Sequence, residues 1–296
     1  MSPQLRRCRG GAGTLCALLA VAGAAVGACG VPPSERAEEQ APQIGRGGEL
    51  SAAARKEVGA ELDAVITRVE REFDVRAGVS VADVQGTLDA GIPGEEPTWS
   101  TVKLPIAIVA AGLGAEDSVV DLAIKESDND AAYALWMTIA YAEGDPVAAV
   151  EDFVATHDSR AQLQDPFGYS TWLLEDQARF ARNLSCMPEA EHVYKAMGEI
   201  VHWQRNGLSA LQNSRAKGGW GLSELDDTYT HRQVGVRSDG HGDLGVALEV
   251  TMPSEAAGDA EDALNALAEE TDHVLARALH SGALQAVEHC EPGAAA

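Results

Sequence analysis

Ser100-Thr101-Val102-Lys103-Leu104-Pro105-Ile106-Ala107-Ile108-Val109 is the stretch from which the rest of the chain can be read. Its second half is apolar throughout, which predicts a buried helix over residues 100–112. Its first four residues set a hydroxyl and an amine at positions i and i+3, which share one helix face. A neutral or proton-sharing lysine can activate a serine too weakly acidic to attack a carbonyl unaided. A helix N-terminus at the same place adds the positive end of its dipole near a developing oxyanion. Taken alone the fragment is weak, since roughly one chain in four of this composition would show it by chance.

Outward from that stretch the pattern changes twice. Upstream, Leu62, Val65, Ile66 and Val69 recur at helical spacing, so an amphipathic helix is expected over 49–71. Residues 77–84 alternate and end at Gln85-Gly86, predicting a strand that turns into a second short strand over 87–90. Downstream, Ala- and Leu-rich stretches predict helices over 130–141, 146–156, 173–184 and 189–203. Strands return over 231–236 and 245–251, joined by the turn Asp239-Gly240-His241-Gly242, and a long helix is expected over 255–284. Strands at both ends of a helical middle imply an α+β fold: an antiparallel sheet flanked by terminal helices, with a helical subdomain inserted.

Composition narrows the function. The 296 residues carry 22 basic and 46 acidic side chains, a formal charge of −24, and 45% are hydrophobic. Disorder and a polytopic membrane protein are excluded. Nucleic acid is not an expected partner, because phosphate recognition needs a concentration of Lys and Arg that is absent. Arg6, Arg7 and Arg9 precede an uncharged run of Ala, Leu, Val and Gly that continues to Cys29, the layout of an export signal over 1–28. Its loss takes the formal charge to −27. Val26-Gly27-Ala28-Cys29 resembles a bacterial lipobox, which implies cleavage before Cys29, a lipid on its thiol and anchorage to the outer face of the membrane. An uncleaved helical anchor is the alternative. Residues 29–48 read as a tether, 49–290 as the domain and 291–296 as a tail. Cys8 and Cys16 fall in the signal, so Cys186 and Cys290 are expected to be bridged, with two free buried thiols as the alternative. The eight histidines show no paired ligand spacing, and neither a metal nor another cofactor is expected.

Two further fragments carry chemistry. Ser127-Asp128-Asn129 is either a helix cap or a second catalytic element, and Lys217-Gly218-Gly219-Trp220 follows Ser214-Arg215-Ala216, either on a strand or as a glycine-rich turn. In this order the three fragments resemble the S-x-x-K, S-D-N and K-T-G set of the class A β-lactamase and penicillin-binding protein superfamily. The resemblance extends over most of residues 49–290.

That resemblance implies roles residue by residue. Ser100 would be the acylated nucleophile and Lys103 its proton acceptor. Ser127 would relay a proton to the leaving nitrogen. Asn129 would hold Lys103 and a substrate amide. Lys217 would meet a substrate carboxylate and tune Ser127. The N–H groups of Ser100 and Trp220 would form the oxyanion hole, with Gly218 and Gly219 on the same strand against the substrate. Arg232 could also meet a carboxylate, the alternative being a surface arginine. Trp99, Trp172 and Trp220 either wall a cleft or fill the core.

The sequence also departs from the pattern. Ser100 and Ser127 are only 27 positions apart, roughly half the family's spacing, so part of the helical subdomain is shortened. Gly218 stands where a hydroxyl residue is usual. No E-x-x-L-N loop supplies a deacylating glutamate; Asp165 in Gln164-Asp165-Pro166-Phe167 is a substitute base or a turn residue. The resemblance implies a serine acyl-transfer hydrolase acting on β-lactams or peptidoglycan-like D-Ala peptides, as a monomer. A D-alanyl-D-alanine peptidase and a non-catalytic envelope lipoprotein that binds cell-wall material or a protein are the rivals.

Overall fold

The computed structural model describes residues 45–223 and 226–290. The expected signal, Cys29, most of the tether and the tail over 291–296 lie outside these residues. The first helix, α1 (Gly45–Phe73), leads into a hairpin of β1 (Arg76–Asp83) and β2 (Gly86–Gly91). Helices α2 (Lys103–Gly112), α3 (Asp117–Lys125), α4 (Asn129–Glu143) and α5 (Pro146–Thr156) follow, then α6 (Leu174–Ala181) and α7 (Glu191–Ala196). The chain returns to the sheet as β3 (Ser214–Ser223), β4 (Thr228–Ser238) and β5 (Gly242–Pro253), and ends with α8 (Ala260–Ser281) and β6 (Val287–Glu288). The strands run antiparallel in the order β2-β1-β5-β4-β3, with β6 paired to β5. This is the α+β arrangement expected.

Two apolar cores build it. Leu62, Val65, Ile66 and Val69 of α1 are buried with Leu264, Leu267 and Leu275 of α8 against Val79, Val81, Leu248 and Val250 of the sheet. Each such side chain contributes about 1.5–3 kcal/mol on leaving water. The second core gathers Ile106 and Ile108 of α2, Ile124 of α3, Leu135 and Ile139 of α4 and Val150 of α5 around Trp172 and Phe180. The apolar run 104–109 therefore forms the central helix of the inserted subdomain, covered from several sides. Among the described residues no helix is long and apolar enough to cross a membrane.

Three elements differ from the expectations. The helix expected over 189–203 holds only as α7, which Met197 caps, and the chain then packs closely under Arg215: a Cβ at Gly198 would lie 2.3 Å from its guanidinium. Residues 254–259 form a 3-10 turn, and the long helix starts at Ala260. Helix α3 was not expected at all, although Val120, Ala123 and Ile124 supply its buried stripe. Cys186 and Cys290 are bridged, with Cα atoms 4.9 Å apart, joining the segment after α6 to the residue beyond β6.

Candidate active site

Ser100 does not open an α-helix directly. Trp99–Val102 is a 3-10 turn that runs into α2, and Thr98 secures it by accepting from both the N–H and the hydroxyl of Thr101. Lys103, the first residue of α2, follows directly on that turn and lines the same cleft as Ser100. Trp99 has φ 49° and Ser127 φ 57°. Both are L-residues in the left-handed region, a conformation that costs energy and collects at functional sites.

The edge strand β3 docks against this turn. A Cβ at Gly219 would lie 2.6 Å from the Ser100 nitrogen and 2.7 Å from that of Thr101, and one at Gly221 would lie 2.5 Å from the Trp99 ring. Only glycine lets the two backbones approach so closely. Lys217 on the same strand is almost wholly buried, and its Nζ donates to Ser127 Oγ at 2.8 Å and to the Gly218 carbonyl at 2.7 Å.

Ser127-Asp128-Asn129 serves both of its readings. Asp128 caps α4, accepting from Ala131 N–H at 2.7 Å. The two flanking residues meet the lysines instead. Lys103 Nζ donates to the Ser127 carbonyl at 2.6 Å, to Asn129 Oδ1 at 2.7 Å and to the Asp128 carbonyl at 3.3 Å. The direct Ser100–Lys103 bond expected from the i, i+3 spacing is not formed, because these three acceptors take the ammonium. All three are neutral. Burial therefore pulls the Lys103 amine down to about 8, against the opposing pull of the Asp128 carboxylate. Lys217 is held well below its ordinary value by burial and then by the nearby charge of Lys103.

Ser100, Lys103, Asn129 and Trp220 line one cleft of about 460 Å³ with Trp99, Tyr133, Asp165 and Tyr169. The loop carrying Asp165 is tied beneath the nucleophile turn: Thr98 N–H donates to the Ser170 carbonyl at 2.8 Å, and the Trp99 and Tyr169 rings stand 5.6 Å apart. Asp165, read from sequence as base or turn residue, thus faces the same space as Ser100. Tyr133 and Tyr169 were missed by sequence reasoning. Their signal is exposure of large rings, 55% and 53%, which no sequence pattern carries.

One expectation is corrected and one alternative is resolved. Arg232 is neither a carboxylate ligand nor a surface residue. It is fully buried, pairs with Glu249 at 3.2 Å and donates to the carbonyls of Glu96, Pro97, Gly94 and Trp172. Its strand position turns it into the body of the protein, where it pins the segment before Trp99. Trp172 is core, with Nε1 donating to Ser159 Oγ at 2.9 Å, whereas Trp99 and Trp220 do line the cleft. Among the described residues no group of three or more His, Cys, Asp or Glu side chains converges on a metal position.

No family model matches the sequence, and no curated protein matches it. Solved structures do. A class A β-lactamase from Bacteroides cellulosilyticus DSM 14838 aligns with TM-score 0.57 at 12% identity, over 72% of this chain and 98% of that one. A β-lactamase from Xanthomonas campestris pv. campestris aligns with TM-score 0.52 at 17% identity, over 74% and 98%. A β-lactamase from Streptosporangium roseum aligns with TM-score 0.52 at 18% identity, over 79% and 100%. At these identities the likeness shows the fold alone, the one these β-lactamases have.

Proposed function

We propose that this chain is a serine acyl-transfer hydrolase that forms an acyl-enzyme at Ser100 with β-lactams or peptidoglycan-like D-Ala peptides. The observation that carries the reading is the pair of buried lysines converging on Ser127 with no carboxylate between them. Such amines release protons at lower pH than exposed ones. Neutral Lys103 accepts the Ser100 proton as Oγ bonds to the substrate carbonyl carbon. The carbonyl oxygen takes the displaced electron pair and is met by the N–H groups of Ser100 and Trp220. Collapse of that intermediate breaks the C–N bond, the leaving nitrogen receives the proton of the Ser127 hydroxyl, which Lys217 orients, and the proton that Lys103 took from Ser100 passes back to Ser127 Oγ. Hydrolysis then needs a water deprotonated near the ester; Asp165 is the carboxylate in the cleft able to do it.

The missing Ser100–Lys103 bond and the Gly218 departure favour the second reading, a binding protein that keeps this fold. One experiment separates them. Intact-mass spectrometry with a fluorescent penicillin should show a one-to-one adduct on the wild type and none on Ser100→Ala. No adduct from any β-lactam or acyl-D-Ala-D-Ala ester would leave the binding reading standing. An adduct that persists longer in Asp165→Asn, by about 10²–10⁴-fold, identifies the deacylating base; an unchanged lifetime removes Asp165 from that role. We further propose an exported, monomeric protein anchored by a lipid at Cys29, on the sequence of its first 29 residues. Metabolic labelling with a fatty-acid analogue, lost in Cys29→Ala, tests the anchor.

A further inference from the structure

In the acyl transfer proposed above, Ser127 hands its proton to the leaving nitrogen. Whatever the leaving group carries therefore lies against Ser127, Lys217 and the edge of β3. The side-chain donors on that side are already committed. Lys217 Nζ donates to Ser127 Oγ and to the Gly218 carbonyl, and burial biases the amine toward its neutral form, which has no third N–H to give. Lys103 is the one basic residue among the described residues that line the cleft. It is 1% exposed, and its ammonium donates to three protein oxygens, one for each N–H. Gln233 lies opposite Gly218 on β4, and its amide donates to the Asn206 carbonyl and side chain. Arg232 is turned into the body of the protein.

What this side offers instead is aromatic surface. Gly218 has no side chain, and the Trp220 ring stands 3.6 Å from where a Cβ would be. Behind Trp220, 5.5 Å from its ring, is His231, which burial lowers to about 4 and so leaves uncharged at neutral pH. Tyr133, Phe167 and Tyr169 join Trp99 and Trp220 around the cleft, and Tyr133, Tyr169 and Trp220 keep open surface. Asp165 adds an acidic side chain to the same space. A carboxylate seated here gives up its hydration and gains no side-chain donor, whereas an uncharged group loses little water and gains apolar contact.

We propose that the Ser100 cleft selects acyl donors whose leaving group is uncharged and apolar, neutral esters and amides over carboxylate-bearing ones, and that the Trp220 ring over Gly218 sets this preference. The inference names the substrate class of the acyl-transfer site and rests on that reading for the side on which the leaving group lies. Benzylpenicillin and its methyl ester form a matched pair that differs in the charge of one leaving-group substituent. Calorimetric titration of Ser100→Ala, which lacks the nucleophile, reads binding without acylation: the ester should bind at least about tenfold more tightly than the acid. Adding Trp220→Ala should bring the two Kd values within about twofold of each other, while Trp220→Phe, which keeps a ring over Gly218, should retain the preference. On the wild type, half-maximal formation of the Ser100 adduct should come at a lower concentration of the ester by the same factor as in binding. Equal or tighter binding of the acid, binding of neither compound, or a ratio that Trp220→Ala leaves unmoved overturns the selection. Adducts from both compounds with equal half-maximal concentrations keep the acyl-transfer reading and remove the selection. Tighter binding of the ester to Ser100→Ala, with no adduct on the wild type from either compound, leaves the preference for uncharged guests standing and removes the acyl-transfer reading instead.

Discussion

Lys217 on β3 and Arg232 on β4 are buried on adjacent strands of one sheet, and their surroundings are opposite in kind. Arg232 has a carboxylate at 3.2 Å and four carbonyls around its guanidinium. Lys217 has a hydroxyl and a carbonyl, and its nearest charged neighbour of note is another cation, Lys103. A buried charge facing a counter-ion and several carbonyls holds structure; a buried amine without a counter-ion is biased toward giving up its proton. The two side chains share one face of the sheet, Lys217 lying opposite Val234 and Gly219 opposite Arg232, so scaffold and chemistry are told apart by the partners rather than by the burial.

The largest effect that sharpens this contrast is on rate. Lys103→Met should slow adduct formation by about 10²–10⁴-fold, the usual worth of a positioned base, while changing the thermal midpoint less than any substitution at Arg232. Stopped-flow acylation alongside thermal melts reads both quantities. A variant that melts early yet acylates at the wild-type rate would place Lys103 with the scaffold.

Arg232→Met should do the reverse. It leaves Glu249 buried and unpaired, which typically costs about 3–5 kcal/mol. The double variant with Glu249→Leu should recover most of that loss in denaturant melts. If Arg232→Met instead stayed stable and weakened binding of carboxylate-bearing lactams, Arg232 would be a substrate ligand and not part of the scaffold.

The Cys186–Cys290 bridge closes 104 residues, so Cys290→Ser should remove on the order of 4 kcal/mol in the chain-entropy view. The bridge lies by the β5–β6 pairing, at the opposite end of β5 from the site, so adduct formation at 25 °C should be unchanged.

Smaller again is the effect of pH. Lys103 must be neutral to take the Ser100 proton, and its amine is lowered to about 8. Acylation should therefore rise about tenfold per pH unit up to about 8 and level off above it. A rise continuing beyond pH 10 would mean an amine of ordinary basicity.

How much of this could be read beforehand follows from range. The β1–β2 hairpin, the apolar run of α2 and the amphipathic stripe of α1 rest on local periodicity and turn chemistry, and they are legible, whereas the 3-10 turn at Ser100 and the order of the strands are not. Lys103 pairing with Asn129 instead of Ser100 depends on a segment 26 residues away, and Arg232 reaches carbonyls some 135 positions earlier. Nothing in the local pattern of β4 says which face Arg232 takes. His231 is illegible for the same reason: its burial against Trp220 is something only the assembled sheet reveals. Helix α3 was missed because nine residues give its stripe too few turns to register.

The smallest effect probes Gly218, the position where the two strands come nearest to exchanging roles. A Cβ there would meet only the Trp220 ring at 3.6 Å and Gln233 at 3.9 Å, ordinary van der Waals contacts, and φ at this position is not in the left-handed region. Gly218→Ser should therefore fold, and loss of glycine entropy in the unfolded chain would if anything raise stability slightly. The new hydroxyl stands beside the Lys217 site, where a carboxylate-bearing lactam would bring its anion. One added hydrogen bond to a ligand is worth about 0.5–1.5 kcal/mol, so the concentration for half-maximal acylation should fall a few-fold with the limiting rate unchanged. An unchanged half-saturation would show that carboxylates do not approach β3 at all. That outcome would leave Lys217 with a single task, orienting Ser127, and would make the partner-poor cation on β3 a positioning group rather than a substrate ligand.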